Sequence, residues 1–218
     1  MDQINMKLLI IGGGNVGGFV INNINHFTED FEVMGILDDD TSKQNTSLWD
    51  IPVIGTTQEI ERICKLYPKI GFVLSIASPL IKKTIFESVA HLKGIEFPNI
   101  IHKNCWLSNN VMLGRGNIIY PGASINYEAA VCNFTTLNMN VSVGHNCLIN
   151  DFSTLSPGVN IAGFTDVGES TFLGIGSCSK QGHTIGSKST IGAGTVIIKD
   201  VPAGATVVGN PGRIIKIQ

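Results

Sequence analysis

The sequence predicts a small α/β unit followed by a parallel β-helix. Two patterns carry this reading: short apolar runs alternating with helical stretches up to about residue 95, then an aliphatic residue at almost every sixth position from residue 101 onward. Composition adds a third observation. Only 15% of the 218 residues are charged and 25 are glycine, against about 25% charged and about 7% glycine in ordinary globular domains. Small polar residues, rather than charges, must solvate much of this surface.

In the first unit, residues 8–11, 32–37 and 71–76 read as strands and residues 16–24 and 79–92 as helices. This βαβ punctuation implies a parallel sheet with crossover helices, a Rossmann-like arrangement spanning residues 1–95. The run Gly12-x-Gly14-x-x-Gly17 follows a strand and opens a helix, the context in which glycines let a backbone approach phosphate. No second mononucleotide half follows, so a hydride-transfer reading has no room for its dinucleotide.

In the second unit, residues 96–218, the sixth-position series runs Leu107, Leu113, Ile119, Ile125, Val131, Leu137, Val143, Ile149, Leu155 and on to Ile197, with Ser179 its one non-aliphatic member. Helix stripes recur at three and four, so this is not a helix. A period of six makes one short strand and one turn per repeat. Three repeats close a triangular coil and place residues 18 apart above one another, about 4.8 Å between strands. The aliphatics form internal ladders, and the repeats resemble the left-handed β-helix of hexapeptide acyltransferases.

Net charge is -2, from 15 basic and 17 acidic residues, which argues against a nucleic-acid partner. The five cysteines are odd in number and lack C-x-x-C spacing, which fits a reducing cytoplasm better than a disulfide framework or zinc knuckle. Residues 1–7 show no leader pattern, and no apolar run reaches the ~18 residues of a membrane span. A cytoplasmic protein without membrane insertion is expected.

His145 lies two residues past an internal aliphatic, so it belongs to a turn and points outward, where a histidine can serve as general base. Subtracting 18 from Asn146 gives Glu128, and adding 18 to His145 gives Gly163. A glycine there leaves room beside the base and exposes an N–H able to hold a carbonyl. By the same arithmetic Asn138 lies beneath Ser156, and both are expected near the acceptor. His102 and His183 have no partner at metal-binding spacing, so no metal is expected.

The whole chain resembles bacterial nucleotide-sugar N-acetyltransferases, the group similar to sialic-acid O-acetyltransferases. The resemblance rests on residues 12–18, Gly35-Ile36-Leu37-Asp38-Asp39, Val143-Gly144-His145, Ile161-Ala162-Gly163 and Gly209-Asn210-Pro211. It implies that His145 takes a proton from a sugar amine attacking acetyl-CoA, with no acyl-enzyme and no cysteine nucleophile. It also implies acetyl-CoA contacts near Gly163, Ile175 and Ala193. The nucleotide of a 4-amino sugar, UDP in preference to dTDP, would sit at Gly12, Gly13, Gly14, Asp38, Asp39 and Lys82. The family's homotrimer places active sites between subunits, and its products feed surface-glycan synthesis.

This chain departs from the family pattern at several positions. Asn146 replaces the usual acid after the histidine, and Glu128 is expected to be the displaced acid beside it. Val16, Ala77 and Lys82 stand where the family often has His, Gly and Arg; Lys82 is either a point charge for a diphosphate or a solvated helix residue. Gly212 replaces an alanine next to Arg213, a residue that fits either the CoA phosphates or a solvated chain end. Two other readings keep the fold: acetylation of a hydroxyl, and a non-catalytic nucleotide-sugar-binding subunit.

Overall fold

A computed structural model describes residues 6–67, 69–92 and 94–217. Most of the stretch 1–7, read above for a leader, lies outside them. The chain divides into two compact units, one holding the residues up to Ala77 with Ile81–Ile100, the other Ser78–Leu80 with Ile101–Gln218.

The first unit contains β1 (Met6–Ile11), α1 (Asn15–Asn22), β2 (Phe31–Leu37), β3 (Ser47–Leu48), β4 (Ile51–Gly55), α2 (Ile60–Leu66), β5 (Gly71–Leu74) and α3 (Pro79–Val89). The strands form one sheet in the order β3-β4-β2-β1-β5. Leu8, Leu9, Ile10 and Ile11 are all within 1% of full burial, as befits a strand paired in parallel on both edges and covered on both faces. The strands β3 and β4 and the helix α2 are additions to the sequence reading. The pair β3 and β4 is an antiparallel hairpin whose loop residues Trp49 and Asp50 both have positive φ, 51° and 63°. Asn-Gly is the usual signature of such a turn, and Trp-Asp conceals it.

The second unit is a coil of two-residue strands from Ile100–Ile101 to Val196–Ile197, stacked in three parallel sheets. Pairs such as Ile125 with Val143 and Leu137 with Leu155 fix the register at 18 residues. Near the C-terminal end Ile185 pairs with Val201 and Ile191 with Val207, an offset of 16. Ile197 still pairs with Ser179 at the offset of 18, so the coil loses two residues between Ile197 and Val201.

Aliphatics from Ile119 to Val207 fill the interior. The exception, Ser179, is tolerated inside because its hydroxyl accepts the Ala162 N–H at 3.1 Å and meets the Thr165 hydroxyl at 3.3 Å. The second residue of every turn from Asn110 to Gly194, at intervals of six, has positive φ. That geometry explains the glycine and asparagine content. Glu128, Phe134, Phe152, Phe164, Ser170 and Lys188 adopt it as well.

Candidate active site

An 18-residue register stacks the turns into three columns. One column carries Tyr127-Glu128, His145-Asn146 and Gly163-Phe164 on successive coils, joined by Asn146 N–H to Tyr127 O at 3.2 Å and Phe164 N–H to His145 O at 3.0 Å.

His145 is half-buried, and four neighbours define its surroundings. Its Nδ1 lies 2.9 Å from Asn146 Oδ1, and Asn146 Nδ2 donates to Glu128 Oε2 at 2.6 Å. Tyr127 stacks on the imidazole with centroids 5.3 Å apart and planes 7° from parallel, while Phe164 meets it edge-on at 4.9 Å and 90°. A Cβ on Gly163 would lie 2.7 Å from Nε2. With Nδ1 engaged, Nε2 is the nitrogen available for proton transfer.

Glu128 therefore lies where subtraction places it, but it meets Asn146 rather than the ring. Gly163 differs from expectation in a second respect. It is buried, not exposed, because the imidazole rises toward the coil that carries it and occupies the space a side chain would fill. Tyr127 and Phe164 escaped the sequence reading, although 18 below His145 and 18 above Asn146 are the same subtractions.

Cys147, two residues on, is turned inward: its Sγ lies 3.2 Å from Ala162 O, and burial pushes the thiol above its ordinary range. It is no activated nucleophile.

Ile175 and Ala193 stack in a different column, with Met139 and Pro157, linked by Gly176 N–H to Pro157 O at 3.0 Å and Gly194 N–H to Ile175 O at 2.8 Å. Ile175 is 62% exposed. Asn138 and Ser156 stand at the entrance to that same column, and the Asn138 carboxamide oxygen accepts the Met139 N–H at 2.8 Å. Within one chain, then, His145, Asn146, Glu128 and Gly163 share a corner, while Asn138, Ser156, Ile175 and Ala193 share another.

In the first unit, a cleft of about 310 Å³ is lined by Gly12, Gly14, Asp38, Lys43 and Ser75 among others. Gly12 turns the chain at φ 103°. A Cβ on Gly14 would meet nothing within 4 Å, so the glycine at the entrance to α1 keeps the cleft open rather than serving packing. The Asp38 carboxylate accepts the Gly13 N–H at 2.7 Å, the Asp40 N–H at 2.9 Å and Lys43 Nζ at 2.8 Å. Burial opposes its charge, but these donors outweigh it and hold Asp38 below the usual carboxylate range. Asp39, exposed beside it, accepts the Thr57 N–H at 2.8 Å.

Lys82 corrects the sequence reading. It is 1% exposed, neither a solvated helix residue nor a charge presented to a diphosphate. Burial carries its pKa down to about 7. The cation that does line the cleft is Lys43, five residues beyond Asp38 and not recognised from sequence.

Among the described residues no group of three His, Cys, Asp or Glu side chains could hold a metal ion, and no helix is long and apolar enough to cross a membrane. His183 Nδ1 instead lies 3.1 Å from Asp200 Oδ1, and His102 Nδ1 accepts the Asn104 N–H at 3.1 Å.

Residues 7–89 match the family model of the PglD N-terminal domain. The GDP-perosamine N-acetyltransferase of Escherichia coli O157:H7 is 36% identical over 155 residues, covering 69% of this chain and 70% of that protein. The acetyltransferase domain of PglB from Neisseria gonorrhoeae FA1090, solved with acetyl coenzyme A, superimposes with a TM-score of 0.87 at 33% identity, covering 97% of this chain and all of that one (100%). PerB from Caulobacter crescentus, solved with CoA and GDP-perosamine, gives a TM-score of 0.88 at 27% identity, with 98% of each chain covered.

Proposed function

This chain belongs to the nucleotide-sugar N-acetyltransferases built on a left-handed β-helix, an acetyl-CoA-dependent family, and we propose that His145 is the general base that acetylates a nucleotide-linked 4-amino sugar. The observation that carries the assignment is the engagement of His145 Nδ1 by Asn146 at 2.9 Å, which leaves Nε2 to act.

In the proposed reaction the sugar amine attacks the thioester carbonyl, and its proton passes to Nε2 as the C–N bond forms. Collapse of the tetrahedral intermediate breaks the C–S bond, and the CoA thiolate takes a proton from the imidazolium. Asn146 and Glu128 are positioning residues in this scheme. Gly163 leaves the imidazole its space beside Nε2 and is a proposed acetyl-CoA contact.

Ile175 and Ala193 are the proposed acetyl-CoA contacts, and Asn138 and Ser156 the proposed acceptor contacts. Because they occupy a different corner from His145, the reading calls for two neighbouring chains of a homotrimer to build each site, and dilution to monomer would abolish turnover.

Gly12, Gly13, Gly14, Asp38 and Asp39 are the proposed nucleotide site, with Lys43 rather than Lys82 meeting the diphosphate. The resemblance of the sequence favours UDP over dTDP, whereas the relatives above whose names give a nucleotide are named for GDP-perosamine. GDP-linked 4-amino sugars therefore head the substrate panel, with UDP- and dTDP-linked sugars beside them. We place the reaction in the cytoplasm, where acetyl-CoA and nucleotide sugars are made, as a step toward surface glycan. NMR of the acetylated product decides the acceptor atom: an acetamide supports the reading, and an ester would replace it with O-acetylation.

A further inference from the structure

We propose that Glu128 fixes the tautomer of His145 by dictating which way the Asn146 carboxamide faces. The inference rests on His145 being the base and concerns how that base is kept competent.

An ionised carboxylate only accepts hydrogen bonds, whereas a carboxamide presents a donor at one end and an acceptor at the other. Glu128 Oε2 lies 2.6 Å from the Asn146 side-chain nitrogen. The opposite orientation would set the amide oxygen against the carboxylate, so the Nδ2 end is held toward Glu128. The Oδ1 end is thereby held toward His145, 2.9 Å from Nδ1. An oxygen there accepts, so a neutral imidazole must carry its proton on Nδ1 and keep the lone pair on Nε2.

With the amide reversed, its NH2 would donate to Nδ1, and Nε2 would hold the proton and be useless as a base. The selection runs in two steps, Glu128 to Asn146 and Asn146 to His145, across two coils related by the 18-residue register.

Glu128 adopts this position with φ at 56°, a backbone region that L side chains rarely occupy and that glycine enters freely. That backbone suggests a clean variant. Glu128→Gly removes the carboxylate without straining the turn, and Glu128→Gln keeps the size while supplying an end that can donate.

The test is 15N NMR of the imidazole in the full-length protein without substrates, at a pH where the ring is neutral. Wild type is expected to show one tautomer, protonated on Nδ1. Both Glu128→Gln and Glu128→Gly are expected to shift the population toward the tautomer protonated on Nε2. In turnover, kcat should fall on the order of 10-fold, the scale of one lost charge-assisted hydrogen bond, with KM for both substrates unchanged. A wild-type ring protonated on Nε2, or variants that keep the wild-type tautomer, would overturn the proposal. The spectroscopic readout needs no turnover, so it is separable from failure of the functional reading, which His145→Ala addresses.

Discussion

Gly163 stands directly over the imidazole of His145, so close that a methyl group there would lie 2.7 Å from Nε2. No carbon rests at that distance, and the atom it would press on is the nitrogen assigned to the chemistry. Gly163→Ala should displace or cap the base while leaving the interior ladders intact. We expect a fall in kcat of about 100-fold, the scale associated with misplacing a reacting group by an ångström, with thermal stability near wild type. Normal kcat in this variant would show that Nε2 is not the working atom.

Tyr127 and Phe164 hold the ring from two sides, face-on at 5.3 Å and edge-on at 4.9 Å. An aromatic pair contributes about 0.5–1.5 kcal/mol beyond its buried area, so Tyr127→Leu should lower kcat about 2- to 10-fold. Tyr127→Phe keeps the stack and should be near neutral. For Phe164, held at φ 55°, glycine relieves backbone strain as it removes the contact. Phe164→Gly should change stability by less than about 1 kcal/mol and still slow turnover. Equal loss in Tyr127→Phe and Tyr127→Leu would assign the effect to the hydroxyl instead.

Lys43 and Lys82 separate cleanly in steady-state kinetics. Lys43 reaches the Asp38 carboxylate at 2.8 Å on the wall of the glycine-lined cleft. Lys43→Met should raise KM for the nucleotide sugar about 10-fold, the scale of one charge-assisted hydrogen bond, and leave kcat and KM for acetyl-CoA unchanged. A rise in KM for acetyl-CoA alone would move Lys43 out of the nucleotide site.

Lys82 bears on stability instead. Its pKa falls from 10.5 to about 7 in the folded chain because burial penalises the charged form. Between those values the unfolded chain binds the proton and the folded chain does not, so folding stability should rise with pH across that window. The total change is on the order of a few kcal/mol. Urea unfolding at neutral and at alkaline pH should show this rise in wild type and a smaller one in Lys82→Met, which keeps the buried stem without the charge. Equal pH dependence in the two proteins would contradict the assignment.

Much of this was legible in the chain because a β-helix turns sequence distance into spatial distance. The interval of 18 places Glu128 beside Asn146 and Gly163 over His145, as subtraction predicts. It also places Tyr127 and Phe164, whose exposed aromatic rings read singly as ordinary turn residues. What the interval does not supply is side-chain direction. It leaves open whether Glu128 meets the ring or the neighbouring amide, and whether the space over Gly163 is empty or filled. In the first unit no such ruler exists. The Trp49-Asp50 turn lacks the residues that announce a hairpin, and helical position alone does not reveal that Lys82 faces inward. Lys43 becomes a candidate only once the chain beyond β2 folds back toward the glycine-rich turn.

The most direct test is release of CoA from acetyl-CoA with GDP-, UDP- and dTDP-linked 4-amino sugars, wild type beside His145→Ala. Turnover with one of these sugars, an acetamide product and loss of about 100-fold or more in the variant, the range of general-base catalysis, is the predicted result. Wild-type turnover by His145→Ala would contradict the account at its centre.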